Sequence, residues 1–210
     1  MNAEPTVILS SSYLAPIQYY AKLVEANCVI DECEHFLKQS FRNRCEIYSP
    51  NGKHTLSVPL QKRYKRKPVK DVKIANEENW QVIHWRTLES SYRRSAFFEY
   101  FEDEFYPIYH DKKFEYLVDL NITLQELICN LLGISSNYTK SREYITVDEG
   151  MIDGRELIHP KRNYEDDSSF TPVKYFQVFD DKHGFIPNLS ILDLLFNQGP
   201  QSLTYINGAE

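Results

Sequence analysis

The residues from Thr6 to Asp31 constrain the fold of this chain more than any other stretch of the sequence. The apolar run Val7-Ile8-Leu9 predicts a buried strand that ends in small polar residues. Pro16 suits the first turn of a helix, and a second apolar run, Cys28 to Asp31, predicts another strand. A strand, a helix and a strand in this order form a βαβ unit, so we expect the two strands to be parallel. Apolar side chains follow Pro16 at helical spacing, namely Ile17, Tyr20, Leu23 and Val24.

The ends of these two strands indicate where a ligand would bind, because ligands usually lie beyond the carboxyl ends of parallel strands. Those ends are the loop Ser10-Ser11-Ser12-Tyr13 and the segment that follows Asp31. The sequence HFLKQSFRNR, residues 35–44, comes shortly after the second end and is rich in cationic side chains. We therefore expect it to border a site, and a charged loop in solvent is the alternative interpretation.

The middle of the chain predicts a β-hairpin. Residues 44–60 alternate between apolar and polar side chains, and Asn51-Gly52 is the strongest short signal for a tight turn. Alternation also predicts strands at residues 69–75, 143–147 and 174–179. Because a hairpin is antiparallel, the sheet as a whole is expected to be mixed.

Helical periodicity covers much of the remaining sequence. The pattern predicts a helix that begins at Asn76, breaks at Ser95 and resumes with a second apolar stripe. A third helix is expected to end at Gly133, which suits a C-terminal cap. Ser190 caps a short final helix, and Asp193, at its third position, is explained as part of that cap.

These elements indicate an α/β protein with one domain over residues 1–210. Its sheet is expected to be mixed and partly parallel, with a βαβ start plus a β-hairpin, and helices pack against it. Hydrophobic residues make up 42% of the chain, which is enough for a core of that size.

Composition and missing motifs argue against several classes of protein. The net charge of -6 argues against a general nucleic-acid binder. Neither the cysteines nor the histidines have the spacing of a zinc site, and the sequence contains no Walker, HExxH or GxSxG motif. We see no signal peptide and no apolar run of about 18 residues, so we expect a cytoplasmic protein with no membrane span and with reduced cysteines.

Two histidines are candidates for catalysis. His84 falls on the apolar stripe of its predicted helix, so it is either a buried structural residue or a general base beside a cleft. His159 precedes Pro160, which favours an extended backbone and a loop, where functional residues are common. The sequence leaves open whether these two side chains approach each other.

Residues 35–44 supply most of the candidates for binding an anion. Arg42 and Arg44 alternate, so an extended strand would present both guanidinium groups on one face, where they suit a phosphate or a carboxylate. The alternative is an edge strand protected by charge. Asn121 lies on the apolar face of its predicted helix, where a buried amide needs hydrogen-bond partners. The candidate substrate-binding residues are Tyr13, His35, Lys38, Arg42, Asn43, Arg44 and Asn121.

Five blocks of the sequence, in order along the chain, resemble the WbqC-like protein family, and in particular its shorter variety from Bacteroidetes-type bacteria. The blocks run through most of the chain, and their common order makes the resemblance specific. They are SSSYLAPIQYYAKLVEAN, HFLKQSFRNRCEIYSPNGKHTLSVPL, NWQVIHWRTLESSYRRSAFFEYF, YLVDLN and FIPNLSILDLLFNQGP.

The resemblance implies a role in the synthesis of O-antigen or another surface polysaccharide, because WbqC-like proteins are found in such gene clusters. The reaction proposed for them is transfer of glycine, or a similar acyl group, to an amino sugar. An acyl- or aminoacyltransferase is thus implied, and of the residues of this chain we expect His84 or His159 to be its base. Its small-molecule substrates would be a sugar nucleotide and an amino acid or acyl donor. The alternative is a non-catalytic module that binds a sugar nucleotide, or a partner enzyme through the basic segment 61–70.

A weaker resemblance concerns the cofactor. The order of the first strand, loop, helix and strand is similar to that in nucleotidyltransferase-like ligases, which adenylate a carboxylate. Those enzymes carry His-x-Gly-His on the first loop, whereas Pro16-Ile17-Gln18-Tyr19-Tyr20 stands here. No cofactor is therefore certain; if ATP or an activated acyl donor is used, we expect Lys38, Arg42 and Arg44 to contact its phosphates. Whether the chain forms a homo-oligomer is left open.

Overall fold

The computed structural model describes residues 5–62, 64, 66–134 and 138–208, which share one hydrophobic core. Its strands are β1 (Thr6–Ser10), β2 (Asn27–Asp31), β3 (Arg44–Ser49), β4 (Gly52–Ser57), β5 (Thr139–Lys140) and β6 (Met151–Asp153). Its helices are α1 (Ile17–Glu25), α2 (Trp80–Tyr92), α3 (Phe98–His110), α4 (Leu117–Leu132), α5 (Gly154–Leu157), α6 (Asp180–His183), α7 (Ile191–Gln198) and α8 (Ser202–Ile206).

The opening βαβ unit is present as the sequence predicts. β1 pairs with β2 in parallel, from Thr6 opposite Asn27 to Ser10 opposite Asp31. β6 pairs in parallel with the other side of β1, and β5 with the outer side of β2, so the strand order is β5-β2-β1-β6. β1 therefore lies in the interior of a parallel sheet, which accounts for its continuous apolar run.

The predicted hairpin is present too, with β3 and β4 in register from Arg44 opposite Ser57 to Ser49 opposite Gly52. Gly52 has a φ of 91°, a backbone conformation that the tight turn requires and that glycine adopts readily. The hairpin forms a two-stranded antiparallel sheet of its own beside the parallel sheet. The α/β class is thus confirmed, with the two strand directions separated into two sheets.

Three of the predicted strands, at residues 69–75, 143–147 and 174–179, are absent from the sheets. In residues 143–147, the Ile145 N–H donates to the Asp31 carboxylate and the Ile145 carbonyl accepts from Arg155. Residues 174–179 have no regular structure, and residues 69–75 contain a 3₁₀ turn (Val69–Asp71) followed by single bridges. In residues 174–179 the alternation reflects the burial of Tyr175 and Gln177, whereas the side chains of residues 143–147 are exposed or half-buried.

The helices follow the predicted periodicity more closely than the strands do. The break near Ser95 and the cap at Gly133, whose φ is 68°, are both confirmed. α2 begins at Trp80 rather than at Asn76, because the Asn76 side chain donates to the Phe114 carbonyl and does not cap the helix. Within the described ranges, no helix is long and apolar enough to cross a bilayer.

The start of α1 is held by a segment near the other end of the chain. The Ile17 N–H donates to the Leu189 carbonyl at 3.0 Å, and the Ile191 N–H donates to the Ala15 carbonyl at 2.9 Å. The Asn188 side chain, at a residue with a φ of 52°, accepts from the Gln18 N–H at 3.0 Å. Residues 188–191 therefore cap a helix that begins at residue 17.

Asp193 differs from the prediction, since its side chain does not cap α7. Ser190 alone does so, by accepting from the Leu192 N–H. The Asp193 carboxylate is fully buried and accepts hydrogen bonds from the Tyr92 hydroxyl, the Tyr175 hydroxyl and the Gln177 amide. Burial raises the pKa of Asp193 to about 6, although these donors oppose the increase.

Asp193 should make stability fall as the pH rises. Folding raises its pKa, so its contribution is complete below the unfolded value near pH 4 and is lost as the pH rises through about 6. We expect the free energy of unfolding of the wild type, relative to Asp193→Asn, to fall by on the order of 3 kcal/mol between about pH 4 and pH 7. Urea unfolding at several pH values measures this difference.

The exposed carboxylate of Asp103 on α3 offers the control for this measurement. Asp103→Asn removes one carboxylate from the surface, so it controls for the loss of one negative charge. A pH-independent difference between the wild type and Asp193→Asn would contradict the assignment.

Candidate functional site

Residues 41–43 join three parts of the fold. The Phe41 carbonyl accepts from the Tyr13 N–H at 2.8 Å, and the Asn43 carbonyl accepts from the Val58 N–H at 2.8 Å. Between them, the Arg42 carbonyl accepts from the Asn121 amide at 2.9 Å. The loop after β1, helix α4 and the segment after β4 are thus all bonded to this short connection.

The Arg42 side chain turns into the protein instead of toward a ligand. Its guanidinium binds the Glu34 carboxylate with two hydrogen bonds, and both side chains are only 5% exposed. Burial raises the pKa of Glu34, and the charge and hydrogen bonds of Arg42 oppose that increase. Arg42 is therefore the internal partner of a buried carboxylate, an arrangement in which each ion compensates the other.

Arg42 and Arg44 do not share a strand face, contrary to the pattern's prediction. Residues 41 and 42 form a turn, and β3 begins only at Arg44. The alternation of strand side chains therefore does not extend back to Arg42. Of these two arginines, Arg44 is the one whose side chain faces outward.

Arg44 lines a cavity of about 220 Å³ together with two other predicted binding residues, Lys38 and Asn43. The Asn43 amide is fixed by donating to the Val58 carbonyl at 2.8 Å. The Lys38 ammonium lies 5.4 Å from the centre of the Tyr64 ring, which also borders the cavity. The Arg44 Nε–H is buried without a hydrogen-bond partner among the described residues. This first cavity thus combines two cations with an unused donor, which suits an anion.

A second cavity, of about 280 Å³, contains His159 with Glu46, Lys53 and Arg162 at its walls. The Lys161 N–H donates to His159 Nδ1 at 3.1 Å, so the proton of the neutral ring lies on Nε2. Nε2 is buried without a partner in the described part of the chain. Burial and the Arg42 charge lower the pKa of His159. A neutral His159 therefore offers an N–H donor, whereas the sequence-based expectation was a base.

The two cavities lie along the same face of the hairpin. Arg44 lines the first and Glu46 the second, and side chains two residues apart on a strand share a face at a spacing of about 7 Å. Their partners across the hairpin are Ser57 and Thr55. The first cavity, with its two cations, thus lies beside the second cavity, which has the Glu46 carboxylate and the His159 imidazole at its walls.

His84 is not part of this arrangement. It is buried, its Nδ1 lies 2.8 Å from the Tyr13 hydroxyl, and that hydroxyl lies 2.8 Å from the Tyr109 hydroxyl. Burial lowers the pKa of His84 to about 4, although a hydrogen bond with the Ser57 backbone opposes this decrease. His84 and Tyr13 line neither of the two cavities and do not meet His159 there.

The remaining predicted binding residues lie apart from the cavities. His35 is exposed and forms a backbone bridge with Pro68. Asn121 is buried in the core, where its amide donates to Ser11 as well as to the Arg42 carbonyl and its Oδ1 has no described partner. Asn121 therefore fits the structural interpretation, in which it ties α4 to two loops.

The sequence analysis did not identify Glu46 as a candidate site residue. The signal was available, since Glu46 follows Arg44 by two residues in a strand where Cys45 and Ile47, the neighbours of Glu46, are apolar and buried. Its carboxylate pairs with the partly exposed Lys53 at 3.1 Å. No group of three or more His, Cys, Asp or Glu side chains that could hold a metal ion occurs among the described residues.

One comparison with known proteins identifies a family. The profile of the WbqC-like protein family matches residues 11–174. The uncharacterized protein Rv1507c of Mycobacterium tuberculosis is 27% identical over 222 aligned positions, which cover 95% of this chain and 96% of that protein. No solved structure matches the chain.

The Glu34–Arg42 pair provides a test of the division of roles between the two arginines. Arg42→Met should lower the free energy of unfolding by about 3–5 kcal/mol, because it leaves the Glu34 carboxylate buried without a partner. Glu34→Met/Arg42→Met should recover most of that loss, since neither charge remains. Urea unfolding monitored by circular dichroism measures both.

The partly exposed pair of Lys140 and Glu126 is the matched control for this test. Lys140→Met should change stability by less than about 1 kcal/mol, because water solvates the remaining carboxylate. If Arg42→Met were as mild as Lys140→Met, the structural role of Arg42 would be refuted.

Proposed function

The chain belongs to the WbqC-like protein family, and on that premise we propose that it transfers an acyl or aminoacyl group, of the glycine type, to an amino sugar. The setting of the reaction would be the synthesis of O-antigen or another surface polysaccharide. The observation that carries the proposal is the pair of buried, unpartnered donors, Arg44 Nε–H and His159 Nε2–H, in neighbouring cavities.

The first cavity is assigned to the phosphates of the substrate. A sugar nucleotide carries a diphosphate, and Arg44 and Lys38 supply two positive charges at the cavity wall. A buried donor without a partner costs about 1–3 kcal/mol, and a phosphate oxygen at Arg44 would remove that cost. Lys38 is positioned by its contact with the Tyr64 ring.

The second cavity is assigned to the reaction. The amine of the sugar attacks the activated carboxyl carbon, and a new C–N bond forms while the bond to the donor's leaving group breaks. Glu46 takes the proton that the nitrogen loses, and the leaving group departs with the bonding electron pair. The His159 Nε2–H donates to the oxygen that becomes negative in the tetrahedral intermediate.

A binding module without catalysis is the second candidate. It is favoured by the position of Tyr64, which belongs to the basic segment 61–70 and borders the first cavity. In this reading, the cavity and the segment hold a sugar nucleotide or a partner enzyme of the same pathway. Two basic residues of the segment, Arg63 and Lys65, lie outside the described residues.

The first test of the proposal concerns binding. Arg44→Ala should weaken the binding of UDP-glucosamine by about tenfold or more, because it removes a charge-assisted hydrogen bond. Isothermal titration calorimetry measures the dissociation constant. Arg142→Ala, which removes an exposed arginine that lines neither cavity, is the matched control and should bind as the wild type does. Equal binding by Arg44→Ala and the wild type would refute the assignment of the first cavity.

The second test concerns turnover. Wild-type protein incubated with UDP-glucosamine, glycine and ATP, or with a preformed glycyl adenylate, should give a product heavier by one glycyl group in mass spectrometry. Glu46→Gln should bind UDP-glucosamine normally and form the product at least about a hundredfold more slowly, because no base remains. His159→Gln should keep more activity than His159→Ala, since the Gln amide can still donate.

The outcomes of this test separate the two candidates. Binding of UDP-glucosamine without product from any of these donors would favour the binding module over the transferase. Full activity of Glu46→Gln would show that the reaction uses a different base.

A further inference from the structure

The largest cavity among those described shares no residue with the candidate site. It has a volume of about 690 Å³ and lies against Arg86 and Ser90 of α2 and against Arg93, which follows the helix. Pro50, Val178 and Phe179 form its apolar part. Its volume falls in the range typical of sites for small organic molecules. We propose that this cavity binds a nucleoside phosphate, with the phosphates on the arginines and the base against Phe179.

The arginines of this cavity differ in how they are bound. Arg93 pairs with Glu89 at 2.7 Å and with Glu102 at 2.8 Å, so its charge is compensated within the protein. Arg86 and Arg94 have no acidic partner among the residues that the structure describes. Two uncompensated guanidinium groups at one cavity suit the several oxygens of a diphosphate.

Ser91 provides an independent sign of a binding site. Its side chain is 1% exposed, it lines the cavity, and its hydroxyl has no hydrogen-bond partner among the described residues. Buried hydroxyl groups are nearly always bonded, so an unpartnered one at a cavity wall points to an oxygen or nitrogen atom that the cavity receives. A phosphate or ribose oxygen would satisfy it.

Hydrogen bonds hold Phe179 and Pro50, in the apolar part of the cavity, to neighbouring segments. The Tyr48 hydroxyl donates to the Phe179 carbonyl at 2.9 Å, and the two rings are 5.7 Å apart. The Pro50 carbonyl accepts from the Lys182 ammonium at 2.7 Å. A preformed apolar surface next to the arginines favours a ligand with a flat base over inorganic phosphate alone.

The overall charge of the protein favours a free nucleotide over a nucleic acid. The chain has a net charge of -6, and Glu89 lies on the cavity wall. A polynucleotide would have to follow a long cationic surface, whereas the arginines of this cavity are confined to residues 86–94. The ligand class is therefore a mononucleotide with two or more phosphates.

The experiment is titration calorimetry of the full chain with ADP. Adenosine serves as the probe for the apolar part of the cavity, and inorganic diphosphate as the probe for the arginines. ADP should bind at least about tenfold more tightly than either half alone. Arg86→Gln/Arg94→Gln should weaken ADP binding at this cavity about tenfold or more, and Arg142→Gln, an exposed arginine outside the cavity, should not. Circular dichroism verifies that the variants are folded.

Because phosphates are also expected at Arg44, the variant Arg44→Gln distinguishes this inference from the proposed function. Two ADP sites, one lost in Arg86→Gln/Arg94→Gln and the other in Arg44→Gln, would support both. A single site lost only in Arg86→Gln/Arg94→Gln supports this inference and counts against the Arg44 assignment. A single site lost only in Arg44→Gln, no ADP binding, or equal binding of inorganic diphosphate and ADP would each overturn the inference.

Discussion

The buried ion pair between Glu34 and Arg42 is the interaction on which the arrangement of this protein depends. It draws the connection between β2 and β3 inward, and the backbone at residues 41–43 then bonds to the loop after β1, to α4 and to the segment after β4. The cost of removing both ions from water is offset only while the pair is intact. The same turn that buries Arg42 starts β3 at Arg44 and leaves that side chain facing a cavity.

The fold could be predicted from the sequence where an element depends only on residues that are close to one another along the chain. The βαβ start, the Asn51-Gly52 hairpin and the cap at Gly133 each depend on a few neighbouring residues, and all three are confirmed. The strands predicted at residues 143–147 and 174–179 are absent because of contacts with residues that are distant in the sequence. Their polar groups bond to side chains from distant segments, among them Asp31 and Asp193, and no alternation within a short window carries that information.

The candidate site could be predicted only in part. The cationic character of residues 35–44 is visible in the sequence, and the structure brings Lys38, Asn43 and Arg44 to one cavity. Which arginine would be paired internally could not be predicted, because Glu34 reaches Arg42 through a turn that the assumption of a continuous strand excluded. For His159, the donor role depends on a single contact from the Lys161 N–H, which is a matter of loop geometry. His84 is held by Tyr13, far away along the chain.

The capping of α1 by residues 188–191 has a consequence for how the chain is made. The first helix receives its N-terminal partners only after residues 188–191 have been synthesised, and β1 likewise waits for residues 151–153. Contacts between such distant residues slow folding, because the entropy of closing a long loop is lost before the contacts form. Early in synthesis, the apolar strands β1 and β2 therefore have an open edge without its final partner. The βαβ unit at the start of the chain can therefore reach its native contacts only after residues 151–191 are available to it.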